Sequence, residues 1–306
     1  MIVVISGGVG AARMLAGLEQ VVDPSELLAI VNTGDDLILH GLYICPDLDT
    51  ITYTLAGQVN PETGWGLAGE SWQAMSALEA YGGHAWFGLG DLDLGTHLFR
   101  TQRLAEGASL TTVTSEIVAR WGLKLAMLPM SHDRVETRVR LLDGPEIGFQ
   151  EYFVKRRHSV AVSSVRFAGA DSAEPAPGVI NAIASAEKVI IAPSNPLVSI
   201  DPILAIPGIR EAITARRKDV VAVSPIIAGA ALKGPADRLL TELGHDASVV
   251  GVAKLYTGLA RSLIIDNLDV DRVAEIEALG MQAVATESVM KTPEIAAALA
   301  QTVLTS

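Results

Sequence analysis

The chain has 306 residues and a mass of 32.2 kDa, which is enough for one large α/β domain or two small domains with complete cores. Its 49% of hydrophobic residues and its single cysteine, Cys45, exclude a disordered chain and a disulfide-stapled miniprotein. The formal charge of −12 argues against general nucleic-acid binding, although backbone amides and a divalent cation can still neutralise a bound phosphate.

The first 31 residues have the pattern of a β-α-β unit. Residues 2–5 predict a buried strand, the glycine turn 6–10 follows it, and 11–20 predict a helix with an apolar face. Residues 26–31 predict the next strand. Such crossovers give parallel sheets that bind ligands at the carboxyl ends of their strands.

The middle of the chain departs from this rhythm. Residues from 41 to about 121 predict a mainly helical insertion beside the sheet, and this insertion contains all four tryptophans. From about 123 to 167, alternating stretches such as 135–140 and 149–154 predict an antiparallel β excursion with one face in water.

The strand and helix alternation returns in the last third, where 188–192, 219–223 and 248–252 each predict a strand. A single sheet that takes strands from both the first and the last third of the chain is a simpler interpretation than two domains. We therefore predict a single Rossmann-like domain over 1–306, of the α/β class, with a mainly parallel sheet, a helical insertion and an antiparallel β excursion.

Glycines follow the first strand directly. Gly7, Gly8 and Gly10 let a backbone approach a phosphate without a Cβ clash, and the amides of the following helix point toward the anion. The dinucleotide fingerprint is incomplete because Arg13 stands where its third glycine belongs, so a purely structural turn stays open.

Acidic residues cluster after the second strand, in 32–36 and 46–50. Carboxylates in this number are typical of a Mg²⁺ site, although Asp35 or Asp47 can also act as a helix N-cap. A third acidic turn, 90–97, contains His97, which is either a general base or a hydrogen-bonded structural residue.

Two later loops, 192–196 and 224–229, follow strands and are rich in hydroxyl, amide and backbone groups, which suit a base, a sugar or a phosphate. Ordinary turn chemistry is the alternative. The run 131–133 reads Ser-His-Asp, but no Gly-x-Ser-x-Gly elbow accompanies it, so hydrolase chemistry is unsupported.

Taken together, these loops resemble the 2-phospho-L-lactate transferase family of deazaflavin coenzyme F(420) biosynthesis. The matching runs occur in the family's order and are 7–13, 32–36, 46–50, 89–94, 192–196 and 233–236. The resemblance implies that the ribityl hydroxyl of the deazaflavin FO attacks the phosphate beside the lactyl group of lactyl-diphospho-guanosine, and that GMP leaves. It also implies a Mg²⁺ requirement and a homodimer, and it makes the insertion at about 41–121, with its four tryptophans, the expected pocket for the FO ring. The acidic charge and the lack of a long apolar run predict no nucleic-acid or membrane partner.

The resemblance assigns expected roles to particular residues. Mg²⁺ would be held by Asp36, Asp47 and Asp49, and catalysis would involve Asp49, Asp36 and Asp91. Nucleotide and phosphate binding would fall to Gly7, Gly8, Gly10, Asn32, Thr33, Ser194, Asn195 and Asp49. Whether the donor carries a lactyl, enolpyruvyl or glyceryl acid stays open.

Two other functions remain as alternatives. A nucleotide-sugar-binding regulator of a related Rossmann-like family would share the glycine turn, but it has less use for so many carboxylates. A nicotinamide dehydrogenase is disfavoured because Asn32 ends the second strand where an acid is expected. Since the chain has one cysteine, no ~18-residue uncharged apolar run and no targeting pattern before its first strand, we expect a cytoplasmic location.

Overall fold

The computed structural model describes residues 1–232 and 234–306, so Lys233, part of the last matching run, lies outside the described residues. Its strands are β1 (Ile2–Ser6), β2 (Leu27–Val31), β3 (Leu37–Leu39), β4 (Leu42–Ile44), β5 (Ala126–Pro129), β6 (Glu136–Leu141), β7 (Glu146–Gly148), β8 (Val162–Ala168), β9 (Lys188–Ile191), β10 (Val220–Val223), β11 (Ile226–Ile227), β12 (Ala230–Ala231), β13 (Ser262–Asp266) and β14 (Gln282–Thr286). Its helices are α1 (Gly8–Leu18), α2 (Pro46–Leu55), α3 (Gln73–Ala80), α4 (Asp91–Ala105), α5 (Leu110–Arg120), α6 (Val179–Ser185), α7 (Asp201–Leu204), α8 (Ile209–Ala215), α9 (Ala236–Glu242), α10 (Val249–Tyr256), α11 (Val273–Ala278) and α12 (Pro293–Thr305).

Seven parallel strands form the central sheet in the order β14-β13-β10-β9-β1-β2-β5. The order reverses between β1 and β9, because the chain builds outward from β1 on one side and from β9 on the other. In open parallel sheets, ligands bind in the crevice outside the carboxyl ends of the strands at this reversal. The predicted fold class is confirmed.

Each face of the sheet is covered by helices, so both faces of β1 are buried. Val3 and Ile5 point into a core shared with α6, α8, α9 and α10, whereas Ile2 and Val4 point into a second core with α1, α2 and α12. The strands are therefore near-continuous apolar runs, as expected for a parallel sheet buried on both sides.

The insertion and the excursion lie beside this framework. Helices α2 to α5 occupy most of the insertion, which begins with a short β3–β4 hairpin that the sequence did not predict. The excursion forms an antiparallel sheet in the order β7-β6-β8. Its predicted range of about 123–167 is too long, because β5 at its start pairs in parallel with β2 and belongs to the central sheet. Among the residues described, no helix is both long and apolar enough to cross a lipid bilayer.

Two predicted strands are wrong. Residues 248–252 begin helix α10, in which Ser248 caps the N-terminus by accepting a hydrogen bond from the Gly251 amide. This helix is buried on most of its sides, so its valine-rich sequence lacks helical periodicity, and the adjacent strand is β13 instead. Residues 149–154 mostly form a π-helical turn, Glu151–Lys155, because their aromatic side chains pack together rather than alternate between faces.

Candidate active site

A cavity of about 640 Å³ opens at the carboxyl ends of β1 and β9. Its walls come from the glycine turn, the acidic segments, the insertion, the excursion and the loops after β9 and β10. Of the predicted site residues, those that line it are Gly7, Gly8, Gly10, Asp47, Asp49, Ser194 and Asn195. Asn32, Thr33, Asp36 and Asp91 do not line it.

The glycine turn forms the floor of the cavity, and its glycines are also required by packing. A Cβ at Gly7 would lie 2.7 Å from the Cβ of Ser199, and one at Gly10 would lie 2.0 Å from the carbonyl oxygen of Pro193. Gly8 adopts a left-handed backbone with φ of 66°. Ser194 donates from its hydroxyl to the carbonyl oxygen of Gly7 over 2.6 Å, which joins the β1 and β9 loops.

Three carboxylates gather behind the glycine turn. Burial raises the pKa of Asp35 and of Asp36, and the neighbouring charge of Asp47 raises the pKa of Asp35 further. Burial also raises the pKa of Asp47 to about 6, although the Asn32 amide donates to its Oδ2 over 3.0 Å. Asn32 therefore acts on the site through Asp47.

Asp35 and Asp47 form no ion pair within residues 1–232 and 234–306, whereas burial raises the pKa of Asp36 against the opposing effects of the Cys45 thiol and the Arg100 charge, which both lower it. Oδ1 of Asp35 is buried without a hydrogen-bond partner in the described part of the chain. Buried polar atoms are ordinarily paired, so this oxygen of a residue that lines the cavity is available to a ligand such as a cation.

Asp49 has a different environment, because it forms a buried ion pair with Arg100. The Arg100 guanidinium donates to both oxygens of Asp49, with Oδ2 at 3.1 Å. Arg100 also contacts Nδ1 of His97 at 3.2 Å, and Nε2 of His97 lies 3.1 Å from Oδ2 of Asp93. Tyr53 completes the network by donating to Oδ1 of Asp93 over 2.6 Å.

Helix α4 supplies Asp93, His97 and Arg100, which lie on one face because their spacing is four and then three residues. The Glu70 carboxylate caps this helix by accepting from the amides of Leu92 and Asp93, each over 2.8 Å. The sequence analysis missed Arg100 and Tyr53. The polar stripe of α4 was the available signal, but Asp49 is 51 residues away from Arg100 in the chain.

Asp49, Asp93 and His97 also form a group whose candidate ligand atoms all lie within 4.8 Å of one another, so they too could hold a metal ion. Asp91, by contrast, points to the start of α3. Its carboxylate accepts from the amides of Gln73 and Ala74 at 3.0 and 3.1 Å and from the Ser71 hydroxyl.

The remaining predicted residues have structural contacts. Asn195 accepts from the Leu197 amide over 3.0 Å and so caps the π-helical turn Pro196–Ile200, while still lining the cavity. Thr33 contributes its carbonyl oxygen to the turn that leads to Asp36. The imidazole of His132 is hydrogen-bonded to the Thr111 hydroxyl and does not line the cavity, so the Ser-His-Asp run at 131–133 forms no site there.

A protein-family model described as "2-phospho-L-lactate transferase CofD" matches residues 2–295. The chain belongs to this family. Membership makes it a transferase of coenzyme F(420) biosynthesis, in agreement with the resemblance of the sequence motifs.

Relatives named phosphoenolpyruvate transferase cover almost the whole chain. The protein of Streptomyces griseus subsp. griseus is 46% identical over 99% of this chain and 97% of its own length. That of Kitasatospora aureofaciens is 45% identical over 99% and 96%, and that of Thermobifida fusca is 46% identical over 98% and 95%.

A solved structure with the same fold is a UPF0052-family protein from Bacillus halodurans. It superimposes with a TM-score of 0.68 over 99% of this chain and 98% of its own, at 17% identity. At this identity the similarity concerns the fold.

Proposed function

We propose that this transferase moves a phospho-three-carbon-acid group from a guanosine-diphosphate-linked donor to the terminal ribityl hydroxyl of FO and releases GMP. The hydroxyl oxygen attacks the phosphorus that bears the acid, the bond from that phosphorus to the bridging oxygen breaks with its electron pair leaving on GMP, and the hydroxyl proton passes to water. The observation that carries the proposal is one cavity that combines a glycine turn with two buried carboxylates, Asp35 and Asp47, that form no ion pair with any described residue.

The residues present fit Mg²⁺. A cation beside Asp35 and Asp47, which both line the cavity, would pair the unsatisfied Oδ1 of Asp35 and hold both carboxylates ionised, and when bound it would neutralise the diphosphate. Asp36 does not line the cavity, so we leave it out of this site. We place Asp49 differently from the sequence expectation. Arg100 already pairs with both oxygens of Asp49. Asp49 is therefore better suited to position the hydrogen-bonded side chains of α4, which we call the α4 network, than to hold the cation.

The acceptor hydroxyl needs a group that lines the cavity. Asp91 does not, whereas Asp93 does, and His97 and Tyr53 fix the direction of its carboxylate. We therefore assign orientation of the hydroxyl to Asp93. The glycine turn, Ser194 and Asn195 would hold the nucleotide and its phosphates, as the family resemblance implies.

The FO ring would bind on the insertion side. Trp65 and Phe87 line the cavity there and offer apolar faces to a flat ring, which supports the predicted ring pocket within residues 41–121. The single-domain organisation, the homodimer and the cytoplasmic location remain proposals that rest on the family resemblance and the sequence pattern.

Among the donors, we propose the enolpyruvyl compound. Its support is the name phosphoenolpyruvate transferase, shared by relatives that are 42 to 46% identical over nearly the whole chain. A lactyl donor is the alternative, favoured by the name of the family.

The proposal is tested by incubating the protein with FO, Mg²⁺ and each of the three donors in turn, and separating the products by ion-exchange chromatography. We expect GMP to accumulate one for one with a phosphodiester of FO, fastest with the enolpyruvyl donor. A guanylylated FO with free phospho-acid would overturn the mechanism. Tight guanosine-diphosphate binding without turnover of any donor would favour a regulatory protein instead.

A further inference from the structure

Two arginine side chains line the cavity, Arg13 and Arg157. Neither forms an ion pair or a side-chain hydrogen bond with residues 1–232 or 234–306. A protein with an excess of 12 acidic charges has many carboxylates to offer an arginine, so two unpaired guanidinium groups facing a cavity are available to an anionic ligand.

The backbone at Arg157 is unusual for a residue with a side chain. Arg157 and His158 adopt left-handed conformations, with φ of 49° and 40°, and only Arg156 separates them from the π-helical turn Glu151–Lys155. Consecutive non-glycine residues in this region are strained, and such backbone is retained where the surroundings hold it, often beside a ligand.

The surroundings do hold this turn. The His158 amide donates to the carbonyl oxygen of Tyr152 over 2.9 Å, and the Arg238 guanidinium from α9 donates to the carbonyl oxygens of His158 and Val160. The imidazole of His158 stacks on Phe153 with ring centroids 5.5 Å apart. Arg157 is therefore presented to the cavity from a rigid wall.

The two arginines belong to different parts of the fold. Arg13 lies on α1, one turn after Gly10, and so belongs to the glycine turn that receives the diphosphate. Arg157 belongs to the excursion, whose Gln150 donates to the carbonyl oxygen of Asp35 over 3.2 Å. The excursion thus contacts the backbone of Asp35, whereas the glycine turn lies against the side chain of Asp47.

The donor carries a third anionic group besides its two phosphates, namely the carboxylate of the acid. In phospholactyl and phosphoenolpyruvyl donors this carboxylate carbon is two bonds from the ester oxygen, so its partner must lie close to the reacting phosphate. A planar guanidinium can form two parallel hydrogen bonds with a carboxylate.

We propose that Arg157 binds the carboxylate of the three-carbon acid, an inference that rests on the proposed function. Arg157 is then a determinant of donor specificity, because it distinguishes donors that carry an acid from plain guanosine diphosphate esters. Arg13 contacts the diphosphate, which both kinds of ligand share.

The test compares two ligands that differ in the carboxylate. Calorimetry measures the Kd of enolpyruvyl-diphospho-guanosine and of the ethyl ester of guanosine diphosphate, with Mg²⁺ and without FO, for the wild type, Arg157→Asn and Arg157→Lys. Asparagine tolerates a left-handed backbone better than most residues, so Arg157→Asn is expected to keep the fold. Its midpoint of thermal unfolding checks this directly.

For Arg157→Asn we expect the Kd of the enolpyruvyl compound to rise about 10- to 100-fold, as for loss of charged hydrogen bonds, and that of the ethyl ester to change less than about twofold. Arg157→Lys should be intermediate, since lysine keeps the charge and loses the planar fork. Arg13→Gln, the matched variant, should raise the Kd of both ligands by the same factor.

If Arg157→Asn raised the Kd of both ligands equally, the proposal would be overturned and Arg157 would be assigned to the diphosphate. If neither Kd changed, Arg157 would not belong to the site. Failure of the proposed function is recognised separately. In that case wild-type protein would bind the donor but release no GMP with FO, while the difference in Kd between the two ligands would still report on Arg157.

Discussion

Asp47 and Asp49 are two residues apart in one helix, yet their environments are opposite. Asp47 lies among other carboxylates, and burial raises its pKa to about 6. Asp49 accepts two hydrogen bonds from the buried Arg100. A loss of activity on changing Asp49 would therefore not by itself identify a metal ligand, because the same change disrupts the α4 network.

This contrast predicts that the same substitution has opposite effects on stability at the two positions. Asp49→Asn leaves the charge of Arg100 buried without its full partner, and we expect a loss of about 3 kcal/mol in the free energy of unfolding. Asp47→Asn relieves repulsion in the carboxylate cluster, so the metal-free protein should be at least as stable as wild type.

Both variants should turn over at least about a hundredfold more slowly, since each removes an electrostatic group of the site. Thermal unfolding without Mg²⁺ and product analysis on the same preparations would show this. Asp143→Asn, on the exposed turn between β6 and β7, is the matched control and should change neither quantity. A large destabilisation by Asp47→Asn would show that the ionised Asp47 carboxylate stabilises the fold instead of being repelled by its neighbours.

At the scale of elements, local patterns predicted the strands β1, β2, β9 and β10 and the glycine turn, because buried parallel strands and the turns that end them have short-range signals. They could not distinguish the buried helix α10 from a strand, since a segment covered on most sides has no polar face. Local patterns also could not predict the Asp49–Arg100 ion pair, because this pair joins α2 to α4 across 51 residues of sequence.

The insertion wall carries a prediction about FO. Trp65 lines the cavity and its side chain is half exposed, so a bound ring can stack on it, whereas Trp72 is exposed but does not line the cavity. FO should quench tryptophan emission in wild type and in Trp72→Phe, and much less in Trp65→Ala. Stacking of this kind is worth about 1–3 kcal/mol, so the KM for FO should rise at least about fivefold in Trp65→Ala.

Undiminished quenching in Trp65→Ala, with an unchanged KM for FO, would place the ring elsewhere. Because Trp72→Phe removes an indole that does not itself line the cavity, it corrects for the general loss of emission.

At the scale of the whole molecule, the site lies where the order of the sheet reverses, and a protein with a charge of −12 concentrates buried carboxylates there. This arrangement is unfavourable for the protein alone. A carboxylate whose pKa is raised on folding opposes folding once it ionises, so the metal-free fold bears a cost at neutral pH that a bound cation removes.

The sign of the pH dependence follows from Asp47, whose pKa is raised from 3.8 to about 6. Between these values the folded protein binds more protons than the unfolded chain, so stability must fall as the pH rises through this window. Carboxylates with lowered pKa values, such as Glu146 at about 2 beside Arg166, are already ionised above pH 5 and add no slope there. We therefore expect the metal-free protein to unfold at a lower temperature at pH 7.5 than at pH 5.

Mg²⁺ should oppose this fall, because it binds the ionised cluster of the folded protein. At about 100 times its Kd a ligand contributes about 2.7 kcal/mol, which corresponds to about 4 °C for a chain of this length. The gain should be largest at pH 7.5, shrink toward pH 5 as protons compete, and be reduced in Asp47→Asn. Unfolding scans with Mg²⁺ or a chelator at both pH values would measure it. A gain independent of pH and of Asp47 would mean that the cation binds outside this cluster.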